Sequence, residues 1–245
     1  MRRAIVVGAS SGIGEALVRR LCADGWHVVA VARREAELRA IAASITEGRG
    51  GRVDVVVHDV TEAQAAAGAF VQAVDTLGGL DAIVYNAGVL PRVEIDEYDT
   101  AKDAWTVEVN VIGAMAWLNE AARHMHAQRA GVIVGVGSVA GDRGRAGQPG
   151  YNASKAALHT YLEALRNRLS RDGVRVVTIK PGPVRTAMLG DRQMPLTVEA
   201  GAVAEVIASS LTSGPLVRYV HWGWGPIMMV IRHIPSFVFR RLGLD

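Results

Sequence analysis

"AIVVGASSGIGEALVRRL", residues 4–21, joins a β-branched run, a glycine-rich loop and an amphipathic repeat without a break. The run 4–8 is apolar at successive positions, the pattern of a strand covered on both faces of a parallel sheet. Gly8, Gly12 and Gly14 follow at the spacing G-x-x-x-G-x-G, immediately before the helical segment. Glycines permit a tight turn and close backbone approach, and a helix N-terminus offers free N–H groups and positive potential to a pyrophosphate. An ordinary strand-to-helix turn rarely needs three glycines. The stretch therefore predicts a dinucleotide-binding unit, with Gly8, Ser10, Ser11, Gly12, Ile13 and Gly14 as candidate phosphate-loop residues.

The same alternation continues along the chain. Runs at 27–32, 53–57, 81–85, 132–137, 174–179 and 217–222 are short, β-branched and almost continuously apolar, and alanine- and leucine-rich helical stretches separate them. Such repetition implies parallel pairing through right-handed crossovers. The expected fold is α/β: a doubly wound Rossmann fold with a seven-stranded parallel sheet flanked by helices. It forms a single domain over residues 1–222, including a lid around 186–200, with an apolar C-terminal extension over 223–245. Ligands of such sheets bind at the C-terminal ends of the strands, so the residues just after each strand are the candidates for chemistry.

After the second strand, where a carboxylate would receive a ribose 2′-hydroxyl, stand Arg33 and Arg34. Guanidinium groups suit a 2′-phosphate and point to NADP. Arg34 reads equally as a solvated residue at a helix start. Asp59 and Val60 follow the third strand, and Asn86, Ala87 and Gly88 follow the fourth. They are candidates to border adenine and its ribose, though Asp, Asn and Gly also favour turns for local reasons.

Composition sets the outer limits. Half of the 245 residues are hydrophobic and 21% are charged, enough apolar material for a large core and too much for a disordered chain. A net charge of +3 with scattered arginines argues against nucleic acid as a partner. The single cysteine, Cys22, forms no internal disulfide, the opening apolar run is too short for a signal peptide, and the run 226–231 is too short to span a bilayer. Cytoplasmic residence is expected, and no metal is.

Lysine is rare, confined to Lys102, Lys155 and Lys180. One of these stands in "PGYNASKAAL" (149–158), which places Tyr151 and Lys155 about one helical turn apart, on one face. A free phenol with a pKa near 10 is poorly matched to proton transfer at neutral pH, and a nearby ammonium favours the phenolate. Lysine is a compact charge with three donors, where arginine presents a wide fork. Taken with "GASSGIG", "NAG", Asn110 in "VNVIGA", Ser138 in "VGSVAG" and "PGPVRT", the segment resembles the short-chain dehydrogenases/reductases over residues 1 to about 190. The resemblance implies Tyr151 as proton donor or acceptor and Lys155 as its activator and ribose ligand. It also implies Ser138 as ligand of the substrate carbonyl, Asn110 as holder of a proton-relay water, and Pro181, Gly182, Val184 and Thr186 as cofactor contacts. Val7 and Tyr85 depart from the family pattern, which usually has threonine and asparagine there.

The lid carries Met188 and Met194, flexible apolar residues suited to a substrate wall, and Arg143 and Arg145 are candidates for an anionic headgroup or for a solvated loop. The last quarter of the chain resembles reductases of decaprenylphosphoryl-2-keto-ribose, which act on a keto-sugar carried by a polyprenyl phosphate. That implies an NADPH-dependent reductase of a lipid-linked or long apolar ketone. A 3-oxoacyl-thioester reductase, a small-ketone or steroid dehydrogenase and a non-catalytic dinucleotide-binding regulator are the alternatives. The tail over 226–242 is expected to form a broken helix whose Met228, Met229, Ile231, Phe237 and Phe239 cover the substrate entrance. Peripheral contact with the inner membrane face is set against packing on the tail's own subunit or a dimer partner. A homodimer or homotetramer is expected from Trp105, Trp117, Leu158 and Leu162.

Overall fold

The computed structural model describes residues 1–45 and 50–242; the last three residues of the predicted extension lie outside the described residues. In chain order the elements are β1 (Arg3–Val7), α1 (Gly12–Ala23), β2 (His27–Ala32), α2 (Glu35–Ser44), β3 (Arg52–Val57), α3 (Ala66–Leu77), β4 (Ala82–Tyr85), α4 (Thr100–Val107), α5 (Gly113–Gln128), β5 (Gly131–Val136), α6 (Pro149–Arg168) and β6 (Val174–Lys180). There follow β7 (Val184–Arg185), β8 (Val198–Glu199), α7 (Ala200–Ser210), β9 (Val217–Tyr219), α8 (Trp224–His233) and α9 (Ser236–Phe239). A π-helical turn, Glu108–Ile112, joins α4 to α5.

Seven strands form one parallel sheet in the order β3-β2-β1-β4-β5-β6-β9, and β7 pairs with β8 apart from it. The seventh strand stops at Tyr219 rather than running to residue 222. Strand order reverses between β1 and β4, so the chain leaves both strands on opposite sides and opens a crevice at their C-terminal ends.

Each sheet face is sealed by its own set of helices, which is why the central strands contain no polar alternation. Phe70, Trp117, Leu118, Leu158, Leu162 and Leu165 cover one face from α3, α5 and α6. Leu17, Leu21, Leu38, Val203 and Ile207 cover the other from α1, α2 and α7. Trp117, Leu158 and Leu162 are thus core residues of one subunit, which corrects their assignment to a subunit interface; Trp105 alone of that group is exposed. Cys22 is buried on the same side as Leu21, and burial pushes its thiol up to about 12. Among the described residues no helix is long and apolar enough to cross a membrane.

Candidate active site

The crevice at the switch point is a cleft of about 760 Å³ that runs from the glycine-rich loop to the lid. At one end, Gly8 takes a φ of +85°, and a Cβ there would lie 2.5 Å from the Ala87 nitrogen. Only glycine allows β1 and the loop after β4 to approach so closely. The Asn86 side-chain amide donates to the Gly8 carbonyl over 2.9 Å, so the loop after β4 braces the loop after β1. Gly14 does not face the cleft. It lies in the first turn of α1 against the Gly8 carbonyl, where a Cβ would sit 2.0 Å from that oxygen. Ser10, Ser11, Gly12 and Ile13 line the cleft, together with Val184 and Thr186 from the segment after β6. This cradle, closed to any side chain at Gly8 and bordered by the first turn of α1, fits a dinucleotide pyrophosphate.

Arg34 Nη2 donates to Ser10 Oγ (2.9 Å) and Ser11 Oγ (2.7 Å), which holds its guanidinium over the loop. Arg33 is exposed and pairs with Asp59 across 3.5 Å. Asp59 also accepts from the Thr61 N–H and hydroxyl, and its carboxyl lies below the usual range despite the opposing effect of burial. Two guanidinium groups and two serine hydroxyls therefore gather at this end of the cleft.

At the other end, Ser138, Tyr151 and Lys155 meet on the cleft floor. Ser138 follows β5 and caps a short turn, its Oγ accepting from the Ala140 N–H at 3.1 Å. Tyr151 and Lys155 lie on the first turns of α6, which Pro149 starts without sacrificing a needed N–H. Lys155 Nζ donates to the Val136 carbonyl at 3.0 Å and stands 5.8 Å from the centre of the Tyr151 ring. Burial lowers its pKa to about 8. Burial also raises the Tyr151 pKa, opposed by the adjacent Ser138 hydroxyl and by the Arg145 guanidinium.

Asn110 is fully buried in the π turn and does not line the cleft. Its Oδ1 accepts from the Val89 N–H (2.8 Å), and its Nδ2 donates to the Val89 carbonyl (3.1 Å) and to Ser154 Oγ (3.0 Å). With both ends of the amide engaged, the side chain clamps the loop after β4 onto α6. The unusual Tyr85 braces the same turn from the sheet side. It is buried, and its hydroxyl donates to the Val109 carbonyl at 2.7 Å.

Met188, Met194 and Arg145 line the cleft; Arg143 does not. Its guanidinium turns away, donating to the Arg232 carbonyl at 3.0 Å and stacking 4.6 Å above the Phe239 ring. The tail is accordingly held on its own subunit. Met228 is buried beneath it, whereas Met229 and Phe237 are exposed, and none of the residues expected to cover the entrance lines the cleft. Trp224 does so instead, its indole nitrogen lying against Gly182, where a Cβ would sit 2.1 Å away. The aromatic–glycine run "HWGWG" (221–225) was the available signal.

A second buried group lies behind Ser138. The His159 ring fills a slot walled by Gly137 and Gly141, at each of which a Cβ would lie within 2.7 Å of the imidazole. Asp142, 2% exposed in its side chain, faces His159 and receives Lys180 Nζ and the Tyr219 hydroxyl. These three donors hold its carboxyl far below the usual range although burial opposes them.

A Rossmann sheet whose switch-point cleft joins a glycine loop to a serine, a tyrosine and a lysine defines a nucleotide-dependent oxidoreductase class. The chain belongs to that family: the model of the short chain dehydrogenases matches residues 2–195. An uncharacterized oxidoreductase of Myxococcus xanthus is 37% identical over 241 residues, covering 97% of this chain and 94% of its own. A short-chain type dehydrogenase/reductase from Mycobacterium ulcerans superposes with a TM-score of 0.83 at 26% identity, over 93% of this chain and 90% of that one. An alcohol dehydrogenase from Thermococcus sibiricus, solved with 5-hydroxy-NADP, gives 0.81 at 25% identity, over 89% and 94%.

Proposed function

We propose that the protein is an NADP-dependent reductase that interconverts a ketone and a secondary alcohol, with Tyr151 as the proton-transferring group. The observation that carries this reading is the convergence of Ser138, Tyr151 and Lys155 on the floor of the cleft that Arg33 and Arg34 border at its far end. NADPH, when bound, supplies the hydride. The chain's own residues do the rest. Ser138 Oγ donates to the carbonyl oxygen and orients it beside Tyr151, whose hydroxyl hands its proton to that oxygen as the negative charge develops. Lys155 ammonium then stabilises the phenolate left behind, and its three donors suit the nicotinamide ribose. Arg33, Arg34 and Ser10 receive the 2′-phosphate. Met188, Leu189, Met194 and Trp224 form an apolar wall, which supports a substrate with a long apolar part.

The test is a comparison of NADPH and NADH with a panel of ketones. NADPH is expected to bind about tenfold to a hundredfold more tightly than NADH, the range for a charge-assisted contact. Arg33→Asp should narrow or reverse that difference. Equal affinity for the two cofactors in the unaltered protein refutes the NADP assignment, and near-normal turnover in Tyr151→Phe refutes the proton donor.

A further inference from the structure

Among the described residues, the substrate end of the cleft holds cationic and neutral donors and no carboxylate. Of the described side chains lining the cleft the only acid is Asp59, which lies at the opposite end and is engaged by Arg33. Arg145 stands near Tyr151, partly buried, and among the described residues its guanidinium has no hydrogen-bond or ion-pair partner; only its backbone carbonyl is used, by Asn152 Nδ2 at 3.1 Å. Arg192, which also lines the cleft, spends Nε and Nη2 on the carbonyls of Leu189 (2.9 Å) and Met188 (3.1 Å), which leaves Nη1 without a partner among the described residues. Trp224 Nε1 is buried and has no acceptor.

A guanidinium removed from water without a counter-charge is costly, and a buried indole N–H without an acceptor adds to that cost. The neighbouring Arg143 shows how the fold treats an arginine that serves structure: it is bonded to a carbonyl and stacked on a ring. Arg145 has neither. Its planar fork matches the two oxygens of an oxyanion, and the apolar wall beside it accepts a hydrocarbon portion.

We propose that the substrate is an anionic amphiphile whose carboxylate or phosphate is received by Arg145, with Arg192 as a second cation on the lid. This deepens the reading of the cleft as a carbonyl-reducing site, because it places the anion next to the group that receives the carbonyl. The Arg145 guanidinium also acts on the Tyr151 phenol, so the experiment must separate anchoring of substrate from tuning of the acid.

The full-length protein saturated with NADP⁺, which keeps phosphate probes out of the cofactor site, is titrated calorimetrically with octanoate, octyl phosphate and 1-octanol. At least one anion should bind about tenfold or more tightly than the alcohol, the order expected of one charge-assisted contact, and the stronger anion names the group. Arg145→Gln should remove that preference, and Arg145→Lys should keep part of it. Octanol binding as well as both anions, absence of anion binding, or a preference that survives Arg145→Gln overturns the proposal. A second arm follows NADPH consumption with a long-chain keto acid and its methyl ester. The ratio of kcat/KM for acid over ester should fall about tenfold or more in Arg145→Gln. A parallel loss for both ketones, with a displaced pH profile, assigns Arg145 to the phenol and overturns the anion site. If no ketone is reduced while the anion preference in binding persists, the reductase reading fails and the anion site stands.

Discussion

Tyr151 and Lys155 carry opposite consequences of the same burial. The phenol is raised above its ordinary value and stays protonated at neutral pH, the form that donates to a carbonyl; the amine is lowered to about 8 and remains mostly an ammonium at pH 7. Ketone reduction is therefore expected to be level from pH 6 to about 8 and to decline above it, as Lys155 loses its proton. Alcohol oxidation, which needs the phenolate, is expected to rise with pH, and initial rates in both directions across pH 6–10 check the pair of trends. Stability has its own sign. A lysine whose pKa falls on folding binds fewer protons in the native than in the unfolded state between about 8 and 10.5, so stability rises with pH there and the full cost is present below that window. Lys155→Met should accordingly stabilise the cofactor-free protein at pH 7 by about 1–3 kcal/mol while abolishing turnover, with the gain shrinking by pH 10. Denaturant titrations at the two pH values read this directly.

At the scale of elements, the π turn between α4 and α5 is where the helix is built for the site rather than for itself. It delivers Asn110 to the Val89 backbone and meets the Tyr85 hydroxyl through the Val109 carbonyl. Asn110→Ala leaves both polar groups of Val89 without this partner, and the expected cost is about 2–4 kcal/mol, combining two unmade bonds with a small cavity. Cofactor affinity should fall too, since Gly88 borders the same amide; urea denaturation and NADPH titration measure the two effects. The strands, the glycine loop and the Tyr151–Lys155 pair were legible in the sequence because each rests on local periodicity or spacing. The clamp made by Asn110 was not, because an amide's partners are set by which loop the sheet brings over it. The direction of Arg143 was equally hidden: adjacent arginines in one loop look alike until the tail folds back onto one of them.

For the molecule as a whole, the faces left uncovered are as informative as the core. Trp105, Val107 and Ile112 expose apolar surface at the end of α4 and along the π turn, between 37 and 45% each. We expect these residues to pair with a second copy, giving a homodimer or homotetramer, and light scattering at low micromolar concentration checks it. Trp105→Glu should shift that equilibrium toward monomer, whereas a protein that is monomeric before substitution refutes the expectation. The clamp of Arg143 on the tail has a consequence in time. Arg143 sits two positions before Arg145, and the helix it holds begins at Trp224, so this clamp joins the loop bearing one cleft-lining guanidinium to the helix bearing the cleft-lining indole. Breathing of the tail is therefore expected to loosen the two together, as one cooperative unit. The amides of α8 and of the 139–148 loop should show one common opening free energy in hydrogen exchange, and that opening is expected to limit how fast a bulky product escapes.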